Sequence, residues 1–197
     1  MKIAAIAAVA GFAGLATASP FLSTASTSTE ITSAPAGATA TITVDLGGIS
    51  SNDAFGSSLN ETLSVALGGD FLVTGIGWDV TTSTIGASWL SESVMTFLDS
   101  AAGLQLTWHP ADETPGTATS TSGGILDLAS IDPTFPFQAG ADGSVELEFW
   151  ESFVDNAGAG DATYAQGSFL QIQYVVPAPG ALAMLGLGGL VAGRRRR

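Results

Sequence analysis

The segment "LVTGIGWDV", residues 72–80, sets the fold class, because its apolar residues recur every second position and not every third or fourth. Period-two spacing predicts a half-buried strand with Leu72, Thr74, Ile76, Trp78 and Val80 on one side and Asp79 on the other. Working outward, "ATITVDL" (40–46) puts Ala40, Ile42, Val44 and Leu46 on one face and Thr41, Thr43 and Asp45 on the other. "TLSVAL" (62–67) aligns Leu63, Val65 and Leu67 in the same manner. Further strands are predicted in "SVMTFLD" (93–99), "GLQLTWH" (103–109), "GILDLAS" (124–130), "SVELEFWESF" (144–153) and "SFLQIQYVV" (168–176). That gives about eight strands separated by Gly, Asp, Asn, Ser and Pro.

No stretch between 30 and 175 carries an apolar stripe three helical turns long, and no internal period repeats. The expected fold class is therefore all-β, a single antiparallel β-sandwich of jelly-roll type. The Ser/Thr-rich stretches "STASTSTE" (23–30) and "TATSTSGG" (117–124) read as an amino-terminal lead and a surface loop.

The termini have a different character. "MKIAAIAAVAGFAGLATAS" pairs one cation, Lys2, with an apolar run and ends in Ala16-Thr17-Ala18, small residues at both positions that a signal peptidase reads. An N-terminal signal helix cleaved between Ala18 and Ser19 is expected. At the other end, the apolar run from Ala181 to Gly193 would span roughly 20 Å as a helix. A hydrocarbon core is about 30 Å thick, so this is a short, temporary transmembrane anchor. The expected organisation is a signal peptide at 1–18, a lead at 19–36, the β-domain at 37–176 and a sorting tail at 177–197.

Charge divides the chain along the same lines. All five Lys and Arg are Lys2 and Arg194 to Arg197, while all 18 Asp and Glu lie between Glu30 and Asp161. A body with no Lys or Arg and about −18 charges repels nucleic acid, which is bound through those cations. Nucleic acid is excluded as a partner. The arginine cluster is expected to stay cytoplasmic with the body outside. With no Cys there are no disulfides, and stability must come from the core.

The tail, with Val176-Pro177-Ala178-Pro179, the run Gly180 to Gly193, and Arg194, Arg195, Arg196 and Arg197, resembles the carboxy-terminal sorting signal of bacterial PEP-CTERM proteins. It departs from that pattern at Ala178, where the family most often has Glu. The resemblance covers Val176 to Arg197 only. It implies that a membrane exosortase cleaves near the Pro-x-Pro element and releases or attaches the body at the cell surface, in association with exopolysaccharide and biofilm matrix. The strand order of the body and its acidic turn before the last strand are distantly similar to the P-domain jelly roll that accompanies subtilisin-like convertases.

Absences narrow the chemistry. A body without Lys or Cys has no P-loop, no Schiff-base lysine and no thiol nucleophile. One His cannot build a typical zinc site. His109 reads as a general base or as a rim histidine, and no nucleophile-elbow pattern accompanies it. Glu146 and Glu148, two apart on one strand with Trp150 next on that face, form a candidate sugar-binding row or glycosidase pair. The other reading has Val145, Leu147 and Phe149 in the core, the acids solvating the outer face and Trp150 covered by a loop. Continued alternation would turn Glu151 and Phe153 inward unless a bulge intervenes near Trp150. In "DNAGAGDATY", Asp155, Asn156 and Asp161 are candidate calcium ligands or residues of a plain turn. Asp53, Asp112 and Glu113 also fall in loops compatible with metal.

These readings point to a non-catalytic exported surface or matrix protein, with signal peptidase, exosortase and exopolysaccharide as partners and calcium as the one candidate cofactor. The alternative is a carbohydrate- or calcium-binding sandwich module, or a glycoside hydrolase. An exposed row of Trp78, Trp89, Trp108 and Trp150 would favour binding.

Overall fold

The structure, a computed structural model, describes residues 5–8, 38–156 and 159–176. The cleavage-site residues Ala16, Ala18 and Ser19, the lead, and the tail from Pro177 to Arg197 lie outside the described residues. The elements are β1 (Ala5–Ala8), β2 (Thr39–Asp45), β3 (Ser50–Ser51), β4 (Glu61–Ala66), β5 (Leu72–Thr84), β6 (Ser93–Phe97) and β7 (Leu104–Thr107). They continue with β8 (Thr117–Thr121), β9 (Leu126–Asp127), α1 (Leu128–Ile131), β10 (Phe137–Gln138), β11 (Ser144–Glu151), β12 (Ala162–Tyr164) and β13 (Phe169–Val175). The protein is all-β, and α1 is one turn capped by Asp127, whose carboxylate accepts from the Ala129 N–H.

Two antiparallel sheets face each other. The first has the order β1-β7-β6-β11-β4. The second is built on β5, thirteen residues long, which carries β13 and then β12 along one edge. Along its other edge it takes β10, β9 and β8 in succession. β2 pairs with β13, and β3 with β12. Each of those two neighbours is thus one long ribbon interrupted by a turn.

The alternation read in the sequence fills the space between the sheets. Ile42, Val44, Leu63, Val65, Ile76, Trp78, Met95, Phe97, Leu104, Leu106, Val145, Leu147, Phe149, Leu170 and Ile172 all join one buried cluster. Rings bridge the sheets: Phe97 of β6 meets Phe137 of β10, and Phe149 of β11 meets Tyr164 of β12 edge-on at 5.6 Å. Burying each such large side chain stabilises the fold by about 1.5–3 kcal/mol, offsetting the lack of disulfides.

The strand directions give the molecule two poles. The loops after β3, β5, β7 and β11 gather at one, as the pairs Ser51 to Ala162, Thr84 to Ala162 and Glu151 to Ser93 require. The turns after β4, β6 and β10 lie at the other. There the body's two chain ends meet, with the Val176 N–H donating to the Ala38 carbonyl at 3.1 Å.

Four expectations are corrected. Residues 5–8 form a strand against β7, not part of a signal helix. The stretch 117–124, expected as a surface loop, contains β8: alternate threonines face out beside Thr81 and Ser83 while Ala118 and Ser120 turn in, a pattern that suits strand pairing. "GILDLAS" is not one strand, because Asp127 caps α1. In β5, the register with β13 shifts at Gln173/Tyr174, so Val73 is buried while Leu72 and Thr74 are only half-buried. The bulge reverses the alternation below Gly75. No helix among the described residues is long and apolar enough to cross a membrane.

Candidate functional site

Most of the polar and charged side chains that the sequence singles out lie at or near the pole of long loops, while Glu146 lies toward the other, its N–H donating to Asp99 in the turn after β6.

The Glu146, Glu148, Trp150 row does share the outer face of β11, with Val145, Leu147 and Phe149 fully buried beneath it. It is not open. The loop after β3 folds over it: Glu148 is buried and accepts from the Gly56 N–H at 2.6 Å and from Asn60 Nδ2 at 2.7 Å. Trp150 is half-buried, donates from Nε1 to Thr96 Oγ1 at 2.8 Å, and meets the Phe55 ring edge-on at 5.5 Å. Asp53 closes this loop through Ala54 N–H and Ser57 Oγ.

The acidic loop after β11 is organised by Asp161. That carboxylate is fully buried and accepts from the N–H groups of Asp155 and Asn156 and from Asn156 Nδ2. Asp155 itself is exposed. Among the described residues, no group of three acids or histidines is placed to hold a metal ion.

The third feature is a buried chain of hydrogen bonds joining the two sheets. Trp108 Nε1 donates to Tyr164 Oη at 2.9 Å, and Tyr164 Oη lies 2.9 Å from Ser93 Oγ. Ser93 Oγ lies 3.2 Å from Ser51 Oγ, which donates to Glu151 Oε1. Indole N–H can only donate, so every hydroxyl can pass its hydrogen onward in one direction, ending on the carboxyl. All five residues are buried. Burial is the main cause that pushes the Glu151 carboxyl up to about 8, with the nearby carboxylates of Asp161, Glu92 and Asp155 adding to it and the Ser51 bond opposing it. Burial likewise pushes the Tyr164 phenol above its ordinary value. At neutral pH Glu151 is held as a neutral acid.

Glu151 is turned inward because β11 keeps its register with β6 through Glu151 and Ser93. The alternation holds without a bulge. It ends one residue later, and Phe153, which alternation would carry inward, is 62% exposed in the loop. Ser51, Ser93 and Tyr164 had no signal of their own in the sequence. The one available pointer was the inward acid, since a buried carboxyl needs hydrogen-bonding partners of some kind.

The remaining polar candidates lie in the loop after β7, at the same pole. His109 is buried, with Nδ1 3.7 Å from Asp112 Oδ2; Glu113 is exposed. Trp78 and Trp108 are core residues with ring centroids 6.1 Å apart, so the four tryptophans form no exposed row; only Trp89 is exposed. The loops are stitched together by Leu90 N–H to Thr114 O, Ser91 N–H to Asp112 O, Ile85 N–H to Asp161 O and Ser152 N–H to Glu92 O. The surface of this pole carries Phe55, Leu59, Ile85, Trp89 and Phe153, five of the seven exposed large hydrophobics of the described residues. The chain matches no protein-family model and no curated protein.

Proposed function

We propose that the chain is a non-catalytic cell-surface or matrix protein, exported by signal peptidase cleavage after Ala18 and sorted by an exosortase acting at Pro177-Ala178-Pro179. The tail resembling a PEP-CTERM signal motivates the sorting step. The observation that carries the role of the body is that both chain ends leave from one pole, at Ala38 and Val176. A body tethered through Val176 holds its loop pole away from the membrane. The polar network around Glu151 is buried, which suits a role in folding better than one in turnover.

A jelly-roll wrap fits the strand order. With β1 set aside, taking β2 with β3, β8 with β9 and β10, and β12 with β13 as single ribbons gives eight. The first pairs the eighth, the second the seventh, the third the sixth and the fourth the fifth, each antiparallel.

The test is the intact mass of the protein from its native host, with membrane, surface polymer and medium fractionated. The expected species begins at Ser19, ends near Pro179 and lies outside the membrane. A membrane-bound species still ending in Arg197 would overturn the sorting reading.

Binding of exopolysaccharide is a second reading, favoured by Phe55, Trp89 and Phe153 on the free pole, since aromatic faces stack on sugar rings. Trp89→Ala is expected to reduce retention on the host polymer without changing Tm; undiminished retention would remove that reading.

A further inference from the structure

β1 pairs with β7 alone, Ala5 to Thr107 through Ala8 to Leu104, and it is the outermost strand of its sheet. The other edge of β7 is taken by β6. Under the export reading, on which the following inference rests, cleavage after Ala18 removes β1 and leaves the outer edge of β7 without its partner. An edge in that state is a row of backbone N–H and C=O groups ready to take another strand.

We infer that the vacated β7 edge pairs with the β7 edge of a second mature copy, joining two bodies through one continuous sheet.

The sequence of β7, Leu104-Gln105-Leu106-Thr107, has no charge, no proline and no glycine, and its pairing with β6 is regular. Of the usual devices that blunt an edge, β7 has only its shortness, four residues. The molecule's other edges are better guarded: β2 ends in Asp45, β4 begins with Glu61, and the third edge is broken into β8, β9 and β10.

The strand is also self-complementary. Leu104 and Leu106 are fully buried on the core side, whereas Gln105 and Thr107 are half-buried on the outer side. Directly opposed residues of an antiparallel pair share a face. A two-fold centred on Gln105 therefore sets Leu104 against Leu106 of the other copy, keeps all four leucines inward, and sets Gln105 against its own copy. A two-fold of this kind closes at two chains.

The mature chain's own lead is a poorer occupant. Residues 19–37 hold no two large apolar residues at alternate positions, and their nearest approach to the pattern is Ala34 and Ala36 around Pro35. A second β7 supplies the two alternating leucines, and it adds no charge to the contact between bodies that each carry many acids. Screening of the repulsion between those bodies should strengthen the pairing as salt rises.

The experiment uses processed protein recovered from the native host, with its N-terminus read by mass and its association measured by sedimentation equilibrium over a salt series. Protein beginning at Ser19 is expected to dimerise, more tightly at high salt. Gln105→Glu, which sets two acids directly opposite, should weaken the dimer about fivefold with Tm unchanged, and an equal mixture with Gln105→Lys should restore it. Material beginning at Ser19 that stays monomeric at high salt, or dimerises equally well as Gln105→Glu, overturns the inference and leaves the export reading standing. Material still beginning at Met1 overturns the export reading, and the inference falls with it.

Discussion

Glu151 carries a carboxyl into the buried space between the two sheets. Its folded pKa, about 8, stands above the ordinary 4.5, so between those values the folded chain holds a proton that the unfolded chain releases. That contribution to stability is fully present below about pH 4.5 and is lost as pH rises through 8, by up to about 5 kcal/mol. Thermal unfolding is therefore expected to show a Tm that falls from pH 5 to pH 9. Glu151→Gln, which stays neutral, should flatten that profile and exceed the wild type at pH 9; a variant that keeps the wild-type slope would mean that other carboxylates set it. Tyr164→Phe should destabilise by about 1–3 kcal/mol in denaturant titrations, because it strands the buried Trp108 N–H. The acid was legible from the alternation of "SVELEFWE" alone, while its partners were not, since Ser51 and Ser93 look like any strand or turn serine until two sheets are stacked.

At the level of the element, β5 and the loop after β11 show how far local pattern reaches. Period two located β2, β4, β7, β11 and β13, since each buries one face against a single core, while β6, also expected as a strand, is buried on both faces. It failed at Leu72 and Thr74 because a bulge carries no distinctive residue, and at β8 because threonine-rich sequence looks the same in a strand and in a linker. The glycines within β5 have a packing reason: a Cβ on Gly77 would come within 2.9 Å of the Gly124 carbonyl and 3.1 Å of Ile125 Cδ1, which lies across the strand. Gly77→Ala should cost about 1–3 kcal/mol of unfolding free energy. In the acidic loop, Asp161→Ala removes acceptors for three N–H donors and should cost a similar amount. That loss is expected to be equal in calcium and in chelator. A loss that appears only with calcium would instead make Asp161 a ligand.

Across the whole molecule, the one-signed charge of the body strains it. With every Asp and Glu and no Lys or Arg between residues 19 and 176, each acid is repelled by the rest. Differential scanning calorimetry at pH 7 should find Tm rising as sodium chloride is raised from low to physiological strength, as the screening length shrinks toward about 8 Å. An unchanged Tm would mean that the acids are too widely spaced to matter. The placement of the chain ends carries a mechanical meaning as well. β13 runs from the loop pole to Val176, hydrogen-bonded along its length to β2 on one side and β5 on the other. If the loop pole grips a polymer while the tail is held at the surface, tension acts along β13 and shears both ladders at once. Such a strand resists load collectively, where one pulled sideways would unzip bond by bond.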